Sequence, residues 1–390
     1  MIRVGFINVF AVNSWLGGLN YLRNLLYAVC ALESRRIQPV FITGHRTSEK
    51  ITKQFSFMPL ARTSMLDRGR PLWLLRKLSR KFMGTDPVLR RVLRGLDVEV
   101  LSHSGDLGRG ARTPSIAWIP DLQHRQLAHL FSAEEIATRE RNIARALQSN
   151  ARVIVSSETV AEQLRAGSPR HGDKIRVLRF VSGLTHGDAM PAAEDLRACY
   201  QIEGRYMLLP NQFWAHKNHD IVIEAIAKLK RDGKPVLVVA TGLMRDPRRP
   251  SHVTDLMGRV AQYGIEDMFR PLGVVPYADM LGLMREAVAV INPSFFEGWS
   301  TSVEEAKSMG KSVVLSGIPV HVEQAPERGI YFDPHDASDA AGAISKAWSQ
   351  YDRNDDQAAM LKASQDLPAR LRRFAEDYES MVIEVLDASR

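Results

Sequence analysis

Two glutamates, Glu297 and Glu305, stand eight positions apart in "FFEGWSTSVEEA" (residues 295–306), with Gly298 and the hydroxyl-bearing Ser300, Thr301 and Ser302 between them. The run before them, "AVAVINPS", is short, apolar and bounded by Asn292 and Pro293, so it reads as a buried strand. Ser302 followed three residues later by Glu305 matches a capping box and predicts a helix N-terminus there. Strand, tight loop and helix start together supply free backbone N–H groups and the positive end of a helix dipole, which bind phosphate oxygens. Carboxylates beside them accept hydrogen bonds from sugar hydroxyls. On spacing alone, Glu305 as a simple cap and Glu297 as a solvated loop acid are equally good readings.

Other stretches carry polar residues at element boundaries. Lys217 lies in "PNQFWAHKNHDIVIEAI", just ahead of an apolar helical pattern. Gly17 and Gly18 precede a helix with Leu22, Leu25, Leu26 and Val29 along one side. Glycines there let the backbone approach a ligand, or simply fit a strand-to-helix turn, and they lack the three-glycine dinucleotide spacing. The "GKS" at 310–312 is no phosphate-binding loop, because Glu305 occupies the upstream glycine position and a strand follows. His216 and His219 are too sparse for a metal site, and no Asp-x-Asp triplet is present. The expectation is chemistry without a metal or a resident cofactor.

Something must position these groups, and the chain is long enough to build it twice. At 390 residues it exceeds one ordinary core, and 45% hydrophobic with 25% charged residues is the composition of a soluble globular protein. No apolar run approaches the ~18 residues of a membrane-crossing helix. The opening "MIRVGFINVF" reads as a first strand and not a signal peptide. Cys30 and Cys199, far apart, fit a reducing cytoplasm without disulfides.

Short apolar strands alternate with helical stretches almost throughout, the pattern of α/β layers with parallel strands. Six strands are expected in the first half, within "IRVGFINVF", "PVFITG", "VEVLSHS", "SIAWIPD", "RVIVSS" and "IRVLRFV". Six more are expected within "YMLLPN", "VLVVATG", "MFRPLGVV", "AVAVINPS", "SVVLSG" and "GIYFDP". A polar, Gly- and Pro-containing stretch breaks the rhythm between them. The expected organisation is two doubly wound, Rossmann-like domains over residues 1–182 and 204–368, a linker over 183–203 and a C-terminal helix over 369–390. A ligand cleft is expected at the strand C-termini, facing both domains.

Charge is concentrated in one place. Residues 62–94 carry ten Lys and Arg against Asp67 and Asp86, and so hold the chain's whole excess of +8. Within them "RPLWLLRKLSRKFMG" interleaves Trp73, Leu74, Leu75, Leu78 and Phe82 with cations. A basic amphipathic stretch of this kind suits an anionic membrane surface, and an ordinary solvated helix pair is the equal alternative. No nucleic-acid-binding motif accompanies it, so nucleic acid is not expected as a partner.

Taken together, "NPSFFEGWSTSVEEAKSMGKSVVLS", "PNQFWAHKNHDIVIEAI" and "IAWIPDLQH…VIVSSE" resemble the motifs of retaining glycosyltransferases of family 4, which have the GT-B fold. The likeness runs over nearly the whole chain except roughly residues 45–95. It implies a nucleotide diphosphate sugar as donor, held mainly by the second domain, and a glycan or lipid-linked hydroxyl as acceptor. On this resemblance Glu305 takes the ribose hydroxyls, Glu297 contacts the donor sugar, and Lys217 neutralises the diphosphate as its charge grows. Asn211 stands where many relatives carry a diphosphate-gripping arginine, and Pro120 where many carry a histidine. Asp121 and His124 are then the nearby polar groups, Asp121 touching sugar or acceptor or capping a helix. Gly17 and Gly18 fall beside the donor phosphates, and backbone groups around Val275 read the base. Likeness to mannosyltransferases tilts the choice toward a GDP-sugar over a UDP-sugar. A catalytically silent sugar-nucleotide binder and a sugar-nucleotide epimerase are the alternatives, and a cytoplasmic enzyme at the inner membrane face is the expected setting.

Overall fold

The computed structural model describes residues 1–8, 16–104, 107–108, 111–184 and 190–389. Residues 9 and 10 of the first expected strand and 185–189 of the expected linker lie outside these. The chain divides into two compact units. The first comprises residues 1–122, 133–181 and 369–390, and the second comprises 123–132 and 182–368.

The first unit holds a parallel sheet of β1 (Ile2–Ile7), β2 (Ile37–Thr43), β3 (Leu60–Arg62), β4 (Val100–Ser102), β5 (Ser115–Trp118), β6 (Arg152–Val155) and β7 (Ile175–Val177), in the order β3-β2-β1-β4-β5-β6-β7. The second holds β8 (Met207–Leu209), β9 (Val238–Thr241), β10 (Phe269–Gly273), β11 (Val290–Asn292), β12 (Val313–Ser316) and β13 (Gly329–Phe332), in the order β10-β9-β8-β11-β12-β13. Each of the twelve expected stretches overlaps a strand, β2 beginning two residues ahead of its stretch. Strands covered on both faces read as unbroken apolar runs, and this makes them legible. The three-residue edge strand β3 was not anticipated, being too short to show a period.

Both sheets reverse direction next to their first strand, at β1/β4 and at β8/β11. Such switch points leave a crevice beyond the strand C-termini, because the connecting helices depart to opposite faces. In the second unit the helix His219–Arg231 buries Ile221, Val222, Ile226 and Leu229 against the sheet core. Its position fixes the turn that precedes it.

The expected C-terminal helix starts well before residue 369. It runs Arg353–Asp387, with Pro368 inside it where the chain passes from the second unit to the first. In the first unit it buries Phe374, Tyr378 and Val382, and the Glu379 carboxylate accepts the Ile37 N–H at 3.2 Å. Glu384 pairs with Arg152 at 2.7 Å and also bonds Arg176. In the second unit the side chain of Asp356 is buried against Lys311, whose ammonium also donates to the Arg285 carbonyl at 3.0 Å. Arg328 completes that cluster at 2.9 Å from Asp356.

The basic segment forms two helices, Pro71–Met83 and Pro87–Gly95. Asp86 is buried, caps the second helix by accepting from Leu89 N at 3.0 Å, and grips Arg76 at 2.6 Å. Arg76 is therefore committed to the fold and not to a surface partner. Leu74, Leu75, Leu78 and Phe82 are instead exposed by 47%, 54%, 51% and 75%, on one side of the helix.

Removing one member of a buried ion pair strands the other. Asp356→Ala is expected to lower the stability of the second unit by about 3–5 kcal/mol, whereas the double change Lys311→Met with Asp356→Leu recovers most of the loss. Thermal unfolding of the two variants beside the parent measures this, and equal melting temperatures for Asp356→Ala and parent would contradict it.

Candidate functional site

The site is built around the β8/β11 switch point. β8 and β11 are adjacent, with Val290 in register with Leu208, so their ends deliver Asn211 and Asn292 side by side. Asn211 Nδ2 donates to Asn292 Oδ1 at 3.2 Å, with both residues buried. Asn292 Nδ2 in turn donates to Ser300 Oγ at 2.7 Å and Ser302 Oγ at 3.2 Å. One amide thus joins two strand ends to the start of the next helix.

That helix runs Thr301–Met309, and its cap is Ser300, whose hydroxyl accepts from Val303 N. The expected Ser302–Glu305 capping box is therefore not formed. Ser300 has the extended backbone of a cap (φ −81°, ψ 116°), while Ser302 is already helical and spends its hydroxyl on Asn292. The Ser300 oxygen is likewise engaged, accepting from Asn292 Nδ2 and Val303 N. Gln324 clamps this corner, accepting from Ser300 N and donating to Ser300 O, each at 3.0 Å. Among the described residues the Thr301 and Ser302 N–H groups have no protein acceptor, as expected for the first residues of a helix.

Glu297 and Lys217 meet here. Lys217 ends a short 3₁₀ turn, Ala215–Lys217, held to the other loop by the Phe295 N–H donating to the His216 carbonyl at 2.9 Å. Its Nζ donates to Glu297 Oε1 at 2.6 Å, with the two side chains only 15% and 10% exposed. Ser294 Oγ lies 2.7 Å from that same carboxylate oxygen and from Asn292 Oδ1, so its single proton serves one of them at a time. Nothing among the described residues bonds to the second oxygen of Glu297. Asn218, in the left-handed region at φ 54°, ties the turn down by donating to the carbonyls of Pro293 and Pro334 at 3.1 and 3.0 Å.

Electrostatics follow from burial. Burial pushes the Glu297 carboxyl upward, but the Lys217 charge and its hydrogen bond outweigh this and hold it down at about 2. Burial depresses His216 to about 3 and His321 to about 4, so both are neutral above that range. His321 Nδ1 donates to the Ser316 carbonyl at 2.9 Å, which fixes its tautomer.

Glu305 lies one turn further along the helix, buried, and accepts the Tyr277 hydroxyl at 2.8 Å. Gly298 is buried in the loop, Thr301 is half-buried, and Val275 sits half-buried between β10 and the helix Tyr277–Glu286. Gly242 closes β9 at φ 137°, where a Cβ would stand 2.5 Å from the Asn211 carbonyl oxygen; any side chain would displace the Asn211 loop.

The structure therefore gathers Asn211, Lys217, Glu297, Gly298, Ser300, Thr301 and Glu305 within the second unit. Gly17 and Gly18 belong to the first unit and lie inside the first turn of the helix Leu16–Cys30, not in a loop ahead of it. Asp121 is also in the first unit, 3.7 Å from Arg139, whereas His124 is buried in the second, edge-on to Phe131. The sequence reading missed Asn292, Ser294, Tyr277 and Gln324. Of these only Asn292 left a signal, as the polar end of an apolar run.

The profile of the family described as "Glycosyl transferases group 1" matches residues 200–365, the part of the chain that carries this site. The O-antigen chain mannosyltransferase B of Escherichia coli is 34% identical over 83 residues, a stretch that is 21% of this chain and 22% of the relative. Among solved structures, a glycosyltransferase from Rickettsia africae superposes with TM-score 0.67 at 15% identity, over 98% of each chain. Anabaena HepE in complex with UDP and glucose gives TM-score 0.68 at 15% identity, over 97% of this chain and all of that one. The fold is that of the GT-B glycosyltransferases, with two Rossmann-like domains.

Proposed function

We propose that this chain is a retaining, metal-independent glycosyltransferase of family 4, moving a hexosyl group from a nucleoside diphosphate sugar to a hydroxyl of a glycan or lipid-linked acceptor. The observation that carries the reading is the buried Lys217–Glu297 pair beside an open helix N-terminus at the switch point, inside the segment that matches the glycosyl transferase profile. The partial likeness to a mannosyltransferase favours a mannosyl donor, and with it GDP.

Glu297 stays ionised and directs its unbonded oxygen to a donor-sugar hydroxyl. Lys217 and the Thr301 and Ser302 N–H groups take the diphosphate, whose negative charge grows as the sugar departs. A contact that strengthens along this path lowers the barrier and does not merely tighten binding. Glu305, oriented by Tyr277, takes the ribose hydroxyls, and the backbone near Val275 reads the base. The leaving phosphate accepts the acceptor's proton, so no protein nucleophile is required.

The exposed leucine face of the helix Pro71–Met83 supports a second element, reversible docking on an anionic membrane at the cytoplasmic side. Lys77, Arg80 and Lys81 stand on the same helix, and each cation near such a surface contributes on the order of 1 kcal/mol. Lys77 already lies over Trp73, 5.3 Å from the ring centroid, so charge and apolar surface are presented together.

Lys217→Ala is expected to lower kcat by about 100-fold with a smaller change in donor KM. An unchanged kcat removes the lysine from the mechanism, and epimerised donor formed without acceptor would favour the epimerase alternative. Glu297 also links stability to pH: its depressed carboxyl stabilises the fold above about 4.5, and that contribution disappears as pH falls towards 2. The melting-temperature deficit of Glu297→Gln should therefore be full at pH 6, narrow steadily below pH 4.5 and close only near pH 2; a deficit independent of pH contradicts the ion-pair assignment. Co-sedimentation with vesicles should rise with anionic lipid, fall in high salt, and drop when Lys77, Arg80 and Lys81 become Ser. Binding indifferent to both lipid charge and this substitution returns the helix to ordinary solvated surface.

A further inference from the structure

The proposed ligand brings more negative charge than the described pair can answer. A nucleoside diphosphate carries at least two negative charges, whereas Lys217 is already neutralised in part by Glu297 at 2.6 Å. A second cation is needed, and the loop after β9 offers three arginines, Arg245, Arg248 and Arg249. Arg249 is paired with Asp255 at 3.6 Å. Arg245 is exposed, and no hydrogen bond or ion pair to another described residue holds its side chain.

Arg248 is exposed as well, but it is anchored at both its backbone and its guanidinium. The buried Asp246 accepts the Arg248 N–H with one oxygen at 2.9 Å and the Ala215 N–H with the other at 2.8 Å. Ala215 opens the 3₁₀ turn that ends in Lys217, so one carboxylate fixes the root of Arg248 to the turn that carries the site's lysine. The Arg248 guanidinium lies over the Phe131 ring, 4.2 Å from its centroid. Stacking occupies the guanidinium face and leaves its in-plane N–H groups, none of which is bonded to another described residue, for an acceptor. Its positive charge already acts on His216, the neighbour of Lys217.

Resting on the function proposed above, we propose that Arg248 is a second cation of the diphosphate site, held in readiness by Asp246 and Phe131. The planar fork suits a phosphate's paired oxygens, and preorganisation by stacking reduces the entropy lost when it binds.

The test compares the binding of GDP and UDP, with guanosine and uridine as uncharged controls, to full-length parent, Arg248→Ala, Arg248→Lys and Lys217→Ala by calorimetry. Arg248→Ala is expected to weaken the preferred nucleoside diphosphate by about 10-fold, leaving nucleoside affinity and melting temperature unchanged, and Arg248→Lys to recover part of the loss. Three outcomes overturn the proposal. If Lys217→Ala weakens the diphosphate but Arg248→Ala does not, the diphosphate site stands without Arg248. If Arg248→Ala weakens nucleoside and diphosphate equally, the residue supports the base or the fold instead. If the parent binds neither diphosphate, the functional reading fails and Arg248's role with it.

Discussion

The side-chain amide of Asn292 is the constraint on which the site depends. Its oxygen accepts from Asn211 and Ser294, and its nitrogen donates to Ser300 and Ser302. All five residues are buried, so each bond satisfies a group that water cannot reach. An aspartate of the same shape would lack the donor half, and a leucine would take a partner from each of Asn211, Ser294, Ser300 and Ser302. The strand end, the glutamate loop and the helix start are thereby fixed relative to one another before any ligand arrives. That is the condition under which charges aimed at a reacting group lower a barrier without reorganising.

What is legible in the sequence is local, and what is not depends on strand order. Strands buried on two faces announce themselves as apolar runs, and a glutamate, a lysine and a helix start are local signals. The Lys217–Glu297 contact joins residues 80 positions apart and depends on β8 lying beside β11, which no local pattern encodes. The capping residue is ambiguous in the sequence for a different reason. Ser300, Thr301 and Ser302 are consecutive hydroxyl residues, and the backbone angle alone decides which of them stands outside the helix. Gly17 and Gly18 look like a loop in sequence for the same kind of reason, whereas the helix start at Leu16 takes them into its first turn.

A buried ion pair is a poor source of net stability, because desolvating both charges cancels most of their attraction. Lys217 and Glu297 therefore need another reason to be where they are. Their neighbours suggest it: the loop and turn carrying them are tied by Phe295 to His216, by Asn218 to two carbonyls, and by Asp246 to Ala215. This framework holds the pair in one geometry while leaving one carboxylate oxygen without a donor among the described residues. A fold seeking only stability would close that valence or replace both groups with apolar ones.

The helix Pro71–Met83 likewise carries groups that folding does not require. Asp86 grips Arg76 and caps the following helix, so two polar contacts anchor the helix through its buried side, where Ser79 also lies. The opposite side presents four large apolar residues that the core does not use, flanked by lysines whose chains lie over Trp73 and Phe82. Single exposed apolar residues are ordinary, but four on consecutive turns of one helix form a continuous strip. Folding alone gains nothing from that strip. It is the surface that the proposed docking would use, since an anionic bilayer is apolar within and charged at its edge.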